Sequence, residues 1–303
     1  MTTRSGDVPF AIDGQALSSV EQASESVGGP IQPETVLLIV GLAVVAVGVL
    51  GVLTYLYAAR ETLDREIEEI EAERRAFLAF AERVEGIPVQ QSSAAMATPQ
   101  TIQTFENTNP PVADVATAFE ETVMSLPHYR ETYGGGAFDQ MAIEFDADLV
   151  ASLHRPGSMS DTVKRGLTQH ATDAAAKRED LLDILAEERQ AVDEAESRFE
   201  PVLADIEAMN DRPLPERSYA ELQDYYARLG ELRTRIGEIS RDRQRVIQTH
   251  KRTLTWNREA VTLQEYLYGG SSPTYPVLDT VTRLDRLIED ARARVSRALW
   301  SRV

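Results

Sequence analysis

The stretch from Thr35 to Ala59 contains 25 residues without a charged side chain. As a helix it would span about 37 Å, more than the roughly 30 Å hydrocarbon core of a bilayer. A cleaved signal peptide has a basic start and an apolar stretch of only about 7–15 residues, whereas residues 5–34 contain no Lys or Arg. A buried core helix is rarely uncharged over such a length. The stretch therefore predicts one transmembrane helix and a single-pass membrane protein.

The basic residues around this stretch predict its orientation. Arg60, Arg65, Arg74 and Arg75 follow it, and only the distant Arg4 precedes it. Because basic residues are retained on the cytoplasmic side, we expect the N-terminus outside the cell membrane and the C-terminal domain in the cytoplasm.

Small residues within the stretch suggest a contact between two membrane helices. Gly41 and Gly48 lie seven residues apart, and glycines let two helix backbones approach closely. They are a possible helix–helix contact in the membrane, and we expect a possible homodimer through the transmembrane helix and the stalk that follows it.

Composition and periodicity divide the chain into five segments. Apolar residues at steps of three and four from Leu63 to Val84 form a heptad seam that Gly86 and Pro88 terminate. The segments are a disordered exterior tail over 1–34, the transmembrane helix over 35–59, a helical stalk over 60–86, a linker rich in Gln, Ser, Thr and Pro over 87–111, and a cytoplasmic helical domain over 112–303.

The best-patterned part of the chain predicts a long antiparallel helical hairpin. Heptad seams run from Leu181 to Met209 and from Leu222 to His250, joined by a turn over 210–215. In this register Glu188 and Arg243 lie opposite each other, which predicts a possible buried pair that fixes the register. The fold class is therefore all-α, with a membrane helix, a stalk and a domain built on this hairpin.

Shorter helices are predicted around the hairpin, over about 112–126, 138–154, 257–268 and from Pro276 onward. The last of these has one apolar face and, between Arg283 and Arg302, six arginines. This pattern fits packing on the hairpin, and a basic amphipathic helix that carries Trp300 also fits a membrane surface. The sequence leaves the two alternatives open.

The charge of the chain bears on its habitat and its partners. There are 49 acidic residues against 31 basic ones, a formal net charge of -18, and no cysteine. Hydrophobic residues in long helical periods make up 43% of the chain, which argues against a disordered acidic polymer. An acidic surface with only three lysines is typical of adaptation to molar salt, where charge repulsion is screened. Nucleic acid is not an expected partner, because phosphate binding needs a basic surface.

No pattern in the sequence indicates catalysis, a cofactor or a metal. The four histidines do not share one helix face at i, i+4 spacing, and no phosphate loop or nucleophile motif occurs. Glu144, Asp146 and Asp148 fall in a predicted helix rather than in a calcium loop. We therefore expect no catalytic, cofactor-binding or metal site, and a protein that is not an enzyme.

Three segments resemble a known group of proteins: AERRAFLAFAERV over 72–84, ETVMSLPHYRETYG over 121–134 and EYLYGGSSPTYPVL over 265–278. Together they resemble an uncharacterised haloarchaeal membrane-anchored family, a domain of unknown function, from about residue 60 to the C-terminus. The resemblance implies an archaeal, halophilic source and a tethered helical layout, and it implies no catalytic residues.

Two hypotheses for function follow. The first is a membrane-tethered helical interaction or scaffold protein, whose partners are the lipid bilayer and an unknown cytoplasmic protein. The second is a membrane-linked signalling or relay element without its own catalytic site, in which the membrane helix transmits movement to the domain.

Overall fold

A computed structural model describes seven parts of the chain: 33–89, 110–132, 135–153, 159–209, 212–253, 262–270 and 273–302. The regular structure in these parts is helical, which confirms the all-α fold class. The nine α-helices are α1 (Pro33–Gly86), α2 (Pro110–Glu121), α3 (Pro127–Thr132), α4 (Ala137–Glu144), α5 (Ala147–Ser152), α6 (Asp161–Met209), α7 (Tyr219–Thr253), α8 (Leu263–Tyr268) and α9 (Pro276–Trp300). The predicted exterior tail and most of the predicted linker lie outside these parts.

Helix α1 is continuous over 54 residues, from the predicted membrane segment to Gly86. The predicted stop at Gly86 agrees with the helix end, where the Ile87 amide donates to the Val84 carbonyl and Pro88 follows. Side chains of α1 are described from Thr54 onward. Among the residues that the structure describes in full, no helix combines the length and apolarity that crossing a bilayer requires.

The segment predicted as a separate stalk is part of the folded domain. Helix α1 packs antiparallel against α6, its most extensive helix–helix contact. Arg60 pairs with Glu196 at one end of this contact, and Arg74 lies 3.0 Å from Glu179 farther along. The seam residues Leu63 and Phe77 are fully buried, because α6 covers the face that a free stalk would leave open.

Helices α1, α6, α7 and α9 form a bundle around a first hydrophobic core. We call it the bundle core; it comprises buried residues from Leu56 to Ile70, Leu181 to Met209, Leu222 to Ile239, Leu263 to Tyr268 and Val277 to Val295. The predicted hairpin helices are α6 and α7, and ion pairs such as Arg198–Asp242 confirm that they run antiparallel. Their main partners are nevertheless α1 for α6 and α9 for α7, so the hairpin alone is not the framework of the domain.

A second core lies at the other end of the α1–α6 pair. This cap core contains the end of α1, the beginning of α6 and the short helices α2 to α5. Phe80 is at its centre, with ring centroids 5.2 Å from Phe119 and 5.9 Å from Phe145. Aromatic side chains bury large apolar areas, which explains how helices of six to twelve residues are held in place.

One predicted helix is interrupted. The segment predicted as a single helix over 138–154 forms α4, which ends with Phe145 as its C-cap, and α5, which begins with Asp146 as its N-cap. Its carboxylate accepts the backbone amides of Asp148 at 2.8 Å and Leu149 at 3.0 Å. Such N-caps are favourable because the first amides of a helix have no partner inside it.

Candidate functional site

The bundle core contains an ion pair that spans two helices. Glu188 of α6 and Arg243 of α7 are buried, with 0% and 3% of their side chains exposed. Arg243 donates through Nη1 to Glu188 Oε2 at 2.9 Å and through Nη2 to Oε1 at 2.5 Å. The structure thus brings together the two residues that the heptad register places opposite each other, in the bidentate geometry that suits arginine and a carboxylate.

Two side chains of helix α8 also form hydrogen bonds with the Glu188 carboxylate. Tyr268 Oη donates to Glu188 Oε1 at 3.1 Å, and Gln264 Nε2 lies 3.4 Å from Oε2. Burial raises the pKa of Tyr268, and the negative charge of Glu188 raises it further. Tyr268 therefore stays protonated and donates to the carboxylate over the whole physiological pH range.

His250 closes the same cluster but is incompletely bonded. Its ring is 1% exposed. Nδ1 lies 3.5 Å from Glu188 Oε2 without the alignment of a hydrogen bond, and Nε2 lies 3.4 Å from Oε2 of the exposed Glu187. Gln264 Oε1 is also buried and has no hydrogen-bond partner among the residues that the structure describes. We call these five residues — Glu188, Arg243, His250, Gln264 and Tyr268 — the bundle network.

A second polar cluster, the cap network, lies where the cap core meets the bundle. Arg178 of α6 joins two carboxylates: Nε is 2.9 Å from Glu73 of α1, and Nη2 is 3.0 Å from Glu144 of α4. Tyr129 donates to Glu144 at 2.5 Å, and His128 Nε2 lies 2.9 Å from Glu73. The cap network therefore ties α1, α3, α4 and α6 together.

Electrostatics in the cap network favour the charged arginine and the neutral tyrosine. Burial lowers the pKa of Arg178, but the adjacent Glu144, Tyr129 and Glu73 outweigh it and raise that pKa. Burial raises the pKa of Tyr129, and the charge of Glu144 adds to this effect. The Arg178 guanidinium also lies 4.6 Å from the centre of the Phe77 ring, a favourable cation–π geometry.

Both networks have the same chemical character. Each buried or half-buried carboxylate in them is paired with a guanidinium. Glu188 and Glu144 also accept a tyrosine hydroxyl, whereas Glu73 lies 2.9 Å from His128. A general base needs a carboxylate that is free to take a proton from a substrate, so these carboxylates serve as internal hydrogen-bond acceptors. Within the described parts of the chain, no three His, Asp or Glu side chains converge in a way that could hold a metal ion.

The structure describes the surroundings of the other predicted site residues less completely. Gly41 and Gly48 lie in α1, in the part whose side-chain surroundings are outside the described residues. Asp146, considered above in an acidic triplet, is an N-cap. Arg74, one of the basic residues that follow the apolar stretch, is half-exposed and pairs with Glu179. The cap network is built on Arg178, which the sequence patterns did not single out.

The fold and its networks define a class: an all-helical bundle domain with a capped end and polar clusters paired internally. The chain belongs to the family DUF7260, a domain of unknown function, which matches residues 54–292. The predicted membership of a family of unknown function is confirmed at this level. The match begins at Thr54, so the family domain includes the second half of α1. No curated protein and no solved structure matches the chain.

Proposed function

We propose that this protein is a membrane-tethered helical interaction protein without its own catalytic site. The proposal rests on the difference between the two parts of helix α1. One end of this helix holds the apolar stretch, and the other contributes buried residues to both hydrophobic cores. A tether built into the core of a domain holds that domain at a defined place on the bilayer.

The burial of Leu56 and Ala59 in the bundle core supports a sharper membrane boundary. Residues packed inside the domain are not available to lipid, which leaves Thr35 to Thr54 for the bilayer. Twenty residues span about 30 Å as a helix, which matches the hydrocarbon core better than the full stretch. The positive-inside rule then puts the domain in the cytoplasm.

The same burial restricts how two copies could meet. Seam residues of α1 such as Leu63 and Ile70 face α6 of their own chain. A homodimer would therefore use Gly41 and Gly48 in the membrane, together with the exposed face of α1. The unknown cytoplasmic partner would bind the outer surface, where the acidic charge is concentrated and solvated in molar salt.

Topology is tested with single cysteines, since the chain has none of its own. We expect Ser26→Cys to react with an impermeant maleimide on intact cells and Ser301→Cys to react only after permeabilisation. Retention in the bilayer after an alkaline wash tests the tether itself. Release of the protein by that wash, or reaction of Ser301→Cys on intact cells, contradicts the proposal.

The interaction role is tested by cross-linking mass spectrometry on native membranes at high salt. A specific heterologous partner, or reproducible contacts between copies, is the expected result. Cross-links confined to residues of one chain, at an abundance that would reveal a partner, exclude an interaction role.

The continuity of α1 also favours the relay hypothesis. Glu73 of α1 belongs to the cap network, so a displacement of this helix would reach both ends of the domain. If bilayer thickness displaces α1, the distance between spin labels at Glu61→Cys on α1 and Glu187→Cys on α6 should change when the bilayer is made thicker or thinner. Labels at Glu187→Cys and Glu200→Cys, both on α6, are the matched control. An unchanged distance between α1 and α6 eliminates the relay.

A further inference from the structure

The C-terminal end of α9 presents arginines that form no ion pair with the residues that the structure describes. Arg294 and Arg297 are exposed, and neither forms an ion pair with a residue that the structure describes. Farther from this end, Arg283 pairs with Asp279 at 2.5 Å and Arg292 lies 3.5 Å from Glu289, whereas the exposed Arg286 forms no ion pair with a described residue. On a chain with a net charge of -18, unpaired arginines at one tip form a local site for an anionic partner.

An exposed tryptophan lies beside these arginines. Trp300 is 76% exposed, the largest exposed fraction among the large hydrophobic residues described, and it lies one turn beyond Arg297. The two arginines line a groove of about 510 Å³ together with Ala298 of α9 and with Leu214 and Pro215 before α7. Tryptophan and arginine together are the side chains that favour the boundary between lipid and water.

The direction of α9 places this tip on the side of the apolar stretch. Helices α1 and α6, α6 and α7, and α7 and α9 are successively antiparallel, so α9 runs antiparallel to α1. The Arg283 guanidinium lies 4.7 Å from the centre of the Tyr55 ring, which fixes the relative level of the two helices. From there α9 continues to Trp300, about 25 Å farther toward the apolar stretch at 1.5 Å per residue.

Because α9 extends beyond the level of Tyr55, the orientation of the domain relative to a membrane is restricted. If α1 entered the bilayer along the bundle axis at Tyr55, the tip of α9 would lie about 25 Å inside it. Arginines at that depth are strongly unfavourable. The bundle axis and the membrane segment therefore cannot be collinear: α1 must bend near Tyr55, so that the bundle is inclined and the tip of α9 lies at the lipid surface.

We propose that the tip of α9, with Arg294, Arg297 and Trp300, docks on the surface of an anionic lipid bilayer and holds the bundle inclined. This inference rests on the membrane tether proposed above. The packing of the rest of α9 is unaffected, because its apolar face, including Leu284 and Ile288, is buried in the bundle core. The two sequence-based alternatives for this helix are thus combined: the body packs and the tip touches lipid.

The arginine contribution depends on salt and the tryptophan contribution does not. Each arginine near an anionic surface strengthens binding about fivefold at moderate ionic strength, an effect that molar salt largely screens. Trp300 contributes through its interfacial preference, so we expect docking to weaken with salt without disappearing.

The experiment uses the full chain in proteoliposomes that contain brominated lipids. Because the chain has two tryptophans, Trp256→Phe leaves Trp300 as the only one, and lipid bromines quench it on contact. We expect strong quenching in anionic vesicles, weaker quenching in zwitterionic vesicles, and a drop to the zwitterionic level in R294Q/R297Q. The matched control is R165Q/R241Q, two exposed arginines that donate to the backbone carbonyls of Asp161 and Gly237 in their own helices, which should leave quenching unchanged.

The results of this experiment distinguish the loss of lipid docking from the loss of the membrane tether. No quenching, or equal quenching in both lipids that R294Q/R297Q does not change, overturns the proposal. A chain that floats with vesicles after an alkaline wash while Trp300 stays unquenched retains the tether and loses the docking; a chain that does not float loses the tether. If Trp256→Phe does not fold, a spin label at Ser301→Cys in the otherwise cysteine-free chain reports contact with lipid through oxygen accessibility.

Discussion

Glu188 and Arg243 face each other across the bundle core with two parallel hydrogen bonds of 2.9 and 2.5 Å, and both side chains are almost completely buried. A buried ion pair contributes little net stability, because desolvation of the two charges offsets their attraction, but its disruption leaves one charge buried without a partner. Because the pair adds little stability but is costly to break, its role is to fix the alignment of α6 with α7.

The substitution Arg243→Met is therefore expected to destabilise the domain by about 3–5 kcal/mol, because Glu188 keeps its charge without the guanidinium. The double variant E188L/R243M is expected to recover most of this loss, since it removes both charges. Urea unfolding followed by circular dichroism measures both effects.

The Arg198–Asp242 pair is the matched control, because it also joins α6 to α7 but has 41% and 42% of its side chains exposed. Its disruption by Arg198→Gln should cost no more than about 1 kcal/mol. A double variant E188L/R243M as unstable as Arg243→Met contradicts the argument from an uncompensated charge.

Heptad periodicity predicted the elements and this pair, but not the rest of the two networks. Steps of three and four residues show which face of a helix is buried, and they placed Glu188 opposite Arg243 because both helices belong to one hairpin. They do not show which distant helix covers that face. Glu73 and Arg178 meet only because α1 packs on α6, and no local pattern encodes a contact between residues 105 positions apart.

The contribution of α8 was unpredictable for the same reason. Gln264 and Tyr268 lie on a helix of six residues, too short for a periodic signal. A polar residue at a seam position, as Glu188 is, was the one sequence signal that a buried network exists. The predicted division between stalk and domain did not anticipate that α6 covers the seam of α1, because a seam shows that a face is covered, not whether the cover comes from another copy or from the same chain.

Buried tyrosines should resist ionisation while the protein is folded. Burial raises the pKa values of Tyr129 and Tyr268, and the carboxylates Glu144 and Glu188 raise them further. Since the folded pKa values exceed the unfolded ones, their contribution to stability is complete below about pH 10 and is lost as the pH rises further.

Absorbance at 295 nm measures this effect during an alkaline titration. We expect a late group of tyrosines that includes Tyr129 and Tyr268 to ionise only when the fold is lost, and Tyr268→Phe to reduce that late group by one. In guanidinium all ten tyrosines should ionise together. Ionisation of all ten in one step while the helical signal persists would show that these hydroxyls are solvated.

Glu66 is expected to lower stability at neutral pH. Burial raises the pKa of this α1 carboxyl, a hydrogen bond from Tyr266 partly opposes the rise, and Glu69 and Glu73 add to it. With a folded pKa above the unfolded value, its favourable contribution is complete in acid and is lost as the pH rises through the folded pKa.

The variant Glu66→Gln keeps an acceptor for Tyr266 and removes the charge. We expect it to unfold at higher urea than the wild type at pH 7, by no more than about 1 kcal/mol because the group is only half-buried and is screened by solvent. The difference should shrink as the pH falls toward 4. Glu68→Gln, exposed on the same helix, controls for the loss of one negative charge, and an equal gain from both variants would assign the effect to net charge alone.

Two glycines in α7 offer a gain in stability that the fold does not use. A methyl group added at Gly230 or Gly237 would meet no atom within 4 Å, and both positions are inside a regular helix. Because alanine has a higher helix propensity and restricts the unfolded chain, each replacement by alanine should stabilise the domain by about 0.5–1 kcal/mol.

Gly166 in α6 is the matched control, because a methyl group there would lie 3.1 Å from Leu149 Cδ1 and force that side chain to move. Thermal unfolding monitored at 222 nm should therefore show a higher Tm for Gly230→Ala and Gly237→Ala, with a smaller gain or a loss for Gly166→Ala. If all three variants shift Tm equally, then α5 does not rest on α6 at Gly166 as the structure has it.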